Sequence, residues 1–238
     1  MQYRFEHKYL LNPQIAETLY RRAATIMKPD PHGDEKGGYT VNNIYLDDRH
    51  DSFYHAKLLG HHSRDKYRVR YYNSDISYIR LERKHKKGIL IHKETLPITP
   101  WQMGQIKAGD LDFTLLLDDP LWKKVATIHR LHGLCPTVAF AYRRETLIYT
   151  PGNVRLTFDG PLFDAGERVP LRPTTLAQSY GRRAYELLLE IKYTGFLPEI
   201  VRSLLNGLPL VHTEMSKYGV ARERGYMSVS HNSGWRIG

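Results

Sequence analysis

Charged and apolar residues alternate with a period of two in successive segments of this 238-residue chain. In the segment 66–72, for example, Arg68 and Arg70 alternate with Val69 and Tyr71. Such alternation is typical of β-strands, because their successive side chains point to opposite faces. The pattern recurs in at least five predicted strands, so each of them has one charged face and one apolar face.

The same analysis predicts eight strands with helices between them. The strands are expected at 3–11, 39–46, 66–72, 77–86, 89–96, 137–149, 154–159 and 184–192. Helices are expected at 13–27 after an Asn12-Pro13 cap, at 47–60, within 99–132, at 198–205 and at 216–224. Loops are expected at 29–38 and 160–182, and residues 226–238 are predicted to be a flexible tail that follows a single domain over 1–225.

The position of the charged faces decides between two sheet architectures. In an open sheet the charged faces would simply lie in water. The helices, however, need an apolar surface to pack on, and carboxylates recur among the bases on the charged faces, at Glu6, Glu82, Asp159 and Glu190. A closed barrel with a charged, ligand-filled interior accounts for both facts. We therefore predict an α+β fold, a closed antiparallel barrel with helices packed outside.

The distribution of charge favours a phosphate-rich ligand. The formal net charge is +10, and the stretch from Arg64 to Lys93 holds ten Lys/Arg against three Asp/Glu. A tunnel lined by Lys and Arg needs anions inside, since unpaired buried cations are costly. The chain has no GxxxxGK[ST] loop and no GxGxxG fingerprint, so a P-loop or Rossmann nucleotide site is not expected.

Other sequence features limit the class of protein. Cys135 is the single cysteine, which excludes a disulfide framework and a multi-cysteine zinc site. There is no apolar run of 18 residues, so we expect no transmembrane segment. The N-terminal sequence carries charges where a signal peptide needs an apolar core, which predicts a cytoplasmic location.

Nine short motifs follow one another along almost the whole chain. They are RFEHKYLL at 4–11, NNIYLDD at 42–48, FYHAKLLG at 53–60, YRVRYY at 67–72, IRLERKHKKG at 79–88, AYRRE at 141–145, VRLTFDG at 154–160, LLEIKYTGFLP at 188–198 and SKYGVARE at 216–223. In this order the motifs resemble the vacuolar transporter chaperone (VTC) domain, the polyphosphate polymerase module of the triphosphate tunnel metalloenzyme (CYTH-like) superfamily.

The resemblance implies an activity, cofactors and partners. It implies that the barrel is a closed antiparallel eight-stranded β-tunnel with helices packed outside. It also implies transfer of the γ-phosphate of ATP to a growing polyphosphate chain, with Mn²⁺ or Mg²⁺ as the cofactor. ATP, inorganic polyphosphate and pyrophosphate would be the ligands, and nucleic acid would not be one. The eukaryotic relatives carry a membrane segment, so coupling to a membrane would here require a membrane-protein partner.

The resemblance also implies roles for individual residues. The catalytic positions would be Arg68, Arg70, Lys84, Arg144 and Lys217. The positions that bind phosphate or nucleotide would be Lys8, Lys57 on the helix that follows the second strand, Lys86, Lys93, Tyr142, Arg155, Lys192 and Ser216. The metal ligands would be Glu190 and Glu6, for which ion pairs with tunnel bases are the alternative. Ser216 is equally an expected helix N-cap.

Two departures from the family pattern leave the chemistry open. The hydrolytic tunnel enzymes usually have E-x-E-x-K in the first strand, whereas this chain has Arg4 at the first of these positions. Lys86 stands where the polymerases often have a histidine. The loss of one carboxylate favours the polymerase over a two-metal hydrolase. A triphosphatase on the same fold and a non-catalytic polyphosphate or triphosphate receptor remain alternatives.

Overall fold

The computed structural model describes residues 4–35, 37–88, 90–164 and 187–223. Their strands are β1 (Arg4–Leu11), β2 (Lys28–Pro29), β3 (Gly38–Asp47), β4 (Ser63–Tyr72), β5 (Asp75–Lys87), β6 (Leu90–Ile98), β7 (Cys135–Tyr149), β8 (Val154–Asp159), β9 (Phe163–Asp164), β10 (Leu187–Thr194) and β11 (Val211–His212). The helices are α1 (Pro13–Ala24), α2 (Ser52–Leu58), α3 (Pro100–Ala108), α4 (Pro120–His132), α5 (Glu199–Leu205) and α6 (Lys217–Glu223). The predicted tail at 226–238 and most of the predicted loop at 160–182 lie outside the described residues.

The described residues divide into two compact units. The first contains those within Met1–Thr40, Tyr142–Leu162 and Gly166–Met215, and the second those within Val41–Ala141, Phe163–Ala165 and Ser216–Gly238. Strands β3 and β7 each contribute residues to both units. Each unit is therefore assembled from segments that are distant in the sequence.

The first unit is an antiparallel sheet covered by helices on one face. Its strand order is β11-β1-β10-β8-β7, and β2 pairs with the last part of β7. One face carries apolar side chains such as Leu156, Leu189 and Ile191, which form a buried cluster with Leu19 of α1 and Val201 of α5. The opposite face carries the charged residues of the same strands.

The second unit repeats this arrangement with other strands. Its strand order is β3-β4-β5-β6, and β9 pairs with the first part of β7. Val69 and Leu81 lie on the apolar face, in a buried cluster with Ile106 of α3 and with Trp122 and Val125 of α4. The predicted packing of helices on the apolar strand faces is therefore observed in both units.

The predicted strand architecture is confirmed in part. The sheet is antiparallel and carries helices, as expected, but eleven strands are present in the described residues instead of eight. Strands β2, β9 and β11 are two-residue pairings that have no period-two signal. The strand order within each unit is linear, so closure into an eight-stranded tunnel is not confirmed.

Two predicted helices are shorter than their sequence patterns. Helix α1 begins as expected, where the Asn12 side chain accepts a hydrogen bond from the Ile15 amide at 2.9 Å, but it ends at Ala24. The helix expected over 47–60 begins only at Ser52. The Asp47 carboxylate accepts hydrogen bonds from the Phe53 and Tyr54 amides, both at 2.9 Å, so this residue satisfies the helix N-terminus from the end of β3. No helix in the described part of the chain is long and apolar enough to cross a membrane.

The apolar face of the second unit generates a stability prediction. Leu81 is buried in the cluster between β5 and helices α3 and α4, whereas Leu90 at the start of β6 is mostly exposed. We expect Leu81→Ala to lower the free energy of unfolding by about 3 kcal/mol, because it leaves a cavity in a packed core. The matched change Leu90→Ala should alter it by less than about 0.5 kcal/mol. Urea unfolding followed by circular dichroism measures both, and equal effects would contradict the assigned faces.

Candidate functional site

One side of strands β4, β5 and β6 carries a dense group of cations. Register pairs place Lys66 opposite Lys84, Arg70 opposite Arg80, and Lys84 opposite Lys93, and directly opposed residues share a face of the sheet. We call this side the basic face. Its cations are Arg64, Lys66, Arg68, Arg70, Arg80, Lys84, Lys86 and Lys93.

Like charges directly opposite each other are unfavourable in a sheet, and the basic face contains three such sets. Lys66, Lys84 and Lys93 form a row across three strands, and Arg70–Arg80 and Arg64–Lys86 form pairs. Each pair of like charges destabilises the sheet by roughly 0.2–1 kcal/mol. The arrangement is thus not explained by the stability of the sheet itself.

Glu82 is the carboxylate in the middle of these cations. It is buried, and its carboxylate accepts hydrogen bonds from Arg68 Nε at 2.6 Å and Lys93 Nζ at 2.5 Å. Burial alone would raise the pKa of Glu82, but Arg68, Arg70 and Lys93 outweigh it and lower this pKa to about 2. Glu82 is therefore charged at every physiological pH and orients two of the cations.

Two polar side chains of β3 complete the surroundings of the R-x-R pair. The Asn43 side-chain oxygen accepts from Arg70 Nε and Nη2 at 3.0 and 2.9 Å, and the Tyr45 hydroxyl accepts from Arg68 Nη1 at 3.0 Å. Burial tends to raise the pKa of the Tyr45 phenol, yet Arg68, Lys66 and Arg70 lower it to about 8. The depressed pKa reports a strongly positive potential at this face.

The SKYG motif reaches the same face through Ser216. Lys66 Nζ donates to the Ser216 hydroxyl at 2.9 Å, and the Val220 amide donates to the Ser216 carbonyl at 3.0 Å. The hydroxyl is also 3.5 Å from the Gly219 amide, in the geometry of a helix N-cap. Tyr218 donates to the buried Asp47 carboxylate at 2.6 Å, which fixes the start of α6 against β3.

The first unit has a polar face of a different kind, in which opposite charges are paired. Register places Glu6 opposite Lys192 and Lys8 opposite Glu190 on strands β1 and β10. Lys192 Nζ lies 2.6 Å from Glu190 Oε2, and Lys8 Nζ lies 3.3 Å from Glu6 Oε1. The two predicted metal ligands therefore both contact predicted phosphate-binding lysines. We call this side the mixed-charge face.

Arg144 lies on the mixed-charge face in a fixed orientation. Its Nε and Nη2 donate to the two oxygens of the buried Asp159 carboxylate at 2.7 and 2.8 Å, and Nη2 also donates to the Tyr142 hydroxyl at 3.2 Å. Burial opposes the charge of the guanidinium, but Asp159 and Tyr142 raise the pKa of Arg144. Arg144 is thus held as a cation, with its Nη1 group in no hydrogen bond to a described residue.

Arg155 also lies on the mixed-charge face, and it forms an ion pair with Asp30. It is opposite Lys192 in the register of β8 and β10, and its Nη2 donates to the Asp30 carboxylate and, at 3.1 Å, to the Tyr39 hydroxyl. Asp30 lies in the loop that the sequence analysis left without a role. Asp30 and Arg155 are far apart in the sequence, so no local sequence pattern predicted this contact.

The predicted site residues thus fall into three groups. On the basic face or beside it lie Arg68, Arg70, Lys84, Lys86, Lys93, Ser216 and Lys217. On the mixed-charge face lie Glu6, Lys8, Tyr142, Arg144, Arg155, Glu190 and Lys192. Lys57 forms the third group by itself and lies on helix α2, the helix on which the sequence analysis placed it.

Sequence analysis did not assign a role to three cations of the basic face. Arg64, Lys66 and Arg80 have the same parity as Arg68 and Lys84. Arg64 and Lys66 lie outside the family motifs, and Arg80 lies inside IRLERKHKKG without being one of the residues to which the resemblance assigns a role. Tyr45 and Asn43 were missed as well, because the sequence of β3 has no charged face. Strand parity alone would have found the three cations.

The donor types suit a hard divalent cation only in part. Glu6 and Glu190 lie near each other, since Lys192 Nζ is within 4.0 Å of a carboxylate oxygen of both. Among the described residues, no group of three or more His, Cys, Asp or Glu is placed to hold a metal ion. Mg²⁺ and Mn²⁺ accept one or two protein carboxylates with phosphate oxygens and water as further ligands. Glu6 and Glu190 fit such a site when phosphate is bound.

The chain has similar proteins among solved structures but not among curated sequences. No curated protein sequence matches the chain at a significant level. Among solved structures, a putative adenylate cyclase from Bacillus halodurans is similar with a TM-score of 0.52 and 10% identity, over 89% of this chain and 92% of that one. The PH1819 protein from Pyrococcus horikoshii OT3 is similar with a TM-score of 0.48 and 14% identity, over 93% of this chain and 99% of that one.

The similarity to the Bacillus halodurans protein is a similarity of fold, consistent with the tunnel-fold superfamily that the motifs indicate. The sequence pattern of the VTC domain matches residues 3–225, which is nearly the whole chain and includes both the basic face and the mixed-charge face. The chain therefore belongs to the VTC domain family.

Proposed function

We propose that this protein is a polyphosphate polymerase, which transfers the γ-phosphate of ATP to a growing inorganic polyphosphate chain. The closed eight-stranded tunnel that the family resemblance implies is part of this proposal. The proposal also includes a cytoplasmic location, the absence of a nucleic-acid ligand, and a membrane-protein partner for any coupling to a membrane.

The observation that carries the proposal is the like-charge row Lys66–Lys84–Lys93 beside the Arg70–Arg80 pair. A row of like charges favours a ligand with several negative charges in succession. Phosphate groups supply them, and arginine binds phosphate oxygens in a bidentate manner while lysine acts as a point charge. A single carboxylate or monophosphate would neutralise only one member of the row.

The proposed roles follow from the surroundings of each cation. Arg68 and Lys93 are oriented by Glu82, and Arg70 by Asn43, so these donors can meet a phosphate chain without first being ordered. Phosphoryl transfer depends mainly on positioning and charge neutralisation, so it needs no nucleophilic side chain. We propose that Arg68, Arg70, Lys84, Arg144 and Lys217 neutralise the transferred phosphate.

The remaining predicted residues would bind the nucleotide and the polymer. They are Lys8, Lys57, Lys86, Lys93, Tyr142, Arg155, Lys192 and Ser216. Lys66 and Arg80 join them on the evidence of the register. The Nη1 group of Arg144 is aimed by the Asp159 pair, so it is a preoriented donor for an anion.

Glu190 and Glu6 would hold Mn²⁺ or Mg²⁺. Such an ion would supply positive charge that neutralises phosphate oxygens. In the described structure Lys8 and Lys192 contact these carboxylates. We propose that phosphate oxygens attract the two lysines when substrate binds, which frees carboxylate oxygens for the cation.

The number of carboxylates supports a polymerase over a hydrolase on the same fold. Two-metal hydrolysis needs several carboxylates around a water molecule. The mixed-charge face offers Glu6 and Glu190, while the third acid in the described part of this face, Asp159, is fully engaged with Arg144. A hydrolase and a receptor without turnover are kept as outcomes of the test.

Incubation of the purified chain with ATP and Mn²⁺ tests the proposal. The products are separated on a polyacrylamide gel stained for polyphosphate. Ladders of long chains are the expected result. Free phosphate without ladders would identify a triphosphatase, and binding of tripolyphosphate without turnover would identify a receptor.

Glu190→Ala is expected to lower ladder formation by at least about 100-fold, because it removes a carboxylate proposed to hold the cation. The matched control is Glu199→Ala, which removes an exposed carboxylate of α5. Initial rates at several Mn²⁺ concentrations, with circular dichroism to verify folding, make the comparison. Unchanged turnover in Glu190→Ala would show that the metal assignment is wrong.

Arg70→Ala is expected to raise the dissociation constant for tripolyphosphate by about 10- to 100-fold, since charge-assisted hydrogen bonds contribute about 1.5–3 kcal/mol. Arg202→Ala on the exposed surface of α5 is the control and should leave the affinity unchanged. Isothermal titration calorimetry measures both constants. A similar loss of affinity in the two variants would contradict a specific role of Arg70, because net charge alone would then explain binding.

Tyr45 provides a reporter inside the basic face. We expect its phenol to titrate near pH 8, and bound tripolyphosphate to raise this pKa because the anion cancels the potential of Arg68 and Lys66. Ultraviolet difference absorbance of the phenolate, with Tyr45→Phe as the reference, follows the titration. A pKa that tripolyphosphate leaves unchanged would place the anion away from the basic face.

A further inference from the structure

Two neighbouring turns of the second unit expose aliphatic side chains at one end of its sheet. Leu58 and Leu59 lie at the end of α2, and Leu90 and Ile91 lie at the start of β6. Leu59 is 71% exposed and Leu90 is 66% exposed, and the other two are about half exposed. We call these four residues the apolar tip.

Contacts between the two turns hold the apolar tip together. The Gly88 amide donates to the His62 carbonyl at 2.8 Å, and the His62 ring lies against the α-carbon of Gly88, where a side chain would clash. Ser63 of β4 pairs with Lys87 of β5, which in turn pairs with Leu90 of β6. Gly88 has a φ of +58°, a backbone conformation that favours glycine. These contacts fix the described residues of the two turns against each other.

The surface around the apolar tip is cationic. Neither of the segments 52–64 and 83–93 contains an acidic residue. Arg64 and Lys86 are directly opposed on β4 and β5, and Lys87 is exposed beside Leu90. Ile91 is opposite Lys86, so the apolar tip borders the edge of the basic face.

The acids that flank these segments are already paired. Asp65 lies 2.9 Å from Arg83, and Glu94 lies 2.5 Å from Arg83 on its other side. Asp51 forms an ion pair with Arg222, and Glu82 is engaged by Arg68 and Lys93. The positive charge next to the apolar tip is thus not cancelled by neighbouring carboxylates.

We propose that the apolar tip docks on an anionic phospholipid surface. The aliphatic side chains would enter the boundary between headgroups and acyl chains, while Arg64 and Lys87 meet lipid phosphates. Binding of this kind combines buried apolar area with attraction to anionic lipid. The proposal goes beyond the polymerase function and does not depend on it.

Size and composition favour a lipid surface over a protein partner. A stable protein interface usually buries more than about 1,000 Å² and has aromatic residues at its centre. The apolar tip contains four aliphatic side chains and no aromatic one. Small aliphatic protrusions that are surrounded by cations match the charge and the depth of a membrane interface instead.

Cosedimentation of the whole chain with vesicles tests the proposal. We expect binding to vesicles of phosphatidylglycerol and phosphatidylcholine, and none to phosphatidylcholine alone. The double variant Leu59→Ser/Leu90→Ser should bind at least about tenfold more weakly, from the loss of two inserted side chains. Lys87→Gln should weaken binding by about fivefold, the effect of one cation near an anionic surface.

The controls separate lipid insertion from simple charge attraction. Leu116→Ser and Leu131→Ser alter exposed leucines elsewhere and should bind vesicles as the unaltered chain does. ATP turnover should be unchanged in Leu59→Ser/Leu90→Ser, so loss of vesicle binding and loss of the polymerase function are distinguishable. Equal vesicle binding by this variant would overturn the proposal, since the basic face alone would then explain attachment.

Two further results would also contradict a lipid surface. One is the absence of any binding of the unaltered chain to anionic vesicles at low ionic strength. The other is a concentration-dependent dimer that Leu59→Ser/Leu90→Ser abolishes, because the apolar tip would then contact a second copy of the chain. Sedimentation equilibrium of both proteins measures this self-association.

Discussion

Three lysines lie side by side across β4, β5 and β6, and their ammonium groups repel one another. This electrostatic repulsion is the constraint on which the surrounding structure depends. Lys66, Lys84 and Lys93 share a face with few carboxylates, so the sheet must be stabilised from its other side. Helices α3 and α4 provide this by packing on Leu81 and its neighbours. Burial of one large aliphatic side chain contributes roughly 1.5–3 kcal/mol, which exceeds the roughly 0.2–1 kcal/mol lost per like-charge pair.

The two polar faces differ in how their charges are arranged. On the mixed-charge face, Lys8 is opposite Glu190 and Arg144 is opposite Asp159, so the cations are oriented and largely neutralised by partners within the unit. On the basic face, Glu82 lies among eight cations of β4, β5 and β6. The first arrangement fixes side-chain geometry, and the second leaves a net charge for an external anion. Oriented donors and neutralisation of negative charge are the two features on which phosphoryl transfer in general depends.

The sequence predicted the strand faces well because alternation depends only on local parity. All eight predicted strands overlap strands of the structure, and the cations of β4 and β5 share one face as expected. The parity of a strand does not indicate which other strand lies next to it. Contacts between segments that are distant in the sequence could therefore not be predicted. The contact of Arg155 with Asp30 and the fixing of Tyr218 by Asp47 are examples. Lys66 lies just outside the YRVRYY motif, so the family motifs did not point to it.

The pKa values on the basic face explain why a buried acid remains there. If Glu82 could take up a proton near neutrality, the face would change charge with pH and Arg68 and Lys93 would lose their common partner. With a pKa of about 2, Glu82 keeps its charge through the physiological range. Its contribution to stability is present above the ordinary glutamate pKa and is lost only as the pH falls towards 2. Tyr45, with a pKa of about 8, becomes negative on the alkaline side instead. The positive potential of this face therefore falls above pH 8, through the phenol and not through the carboxylate.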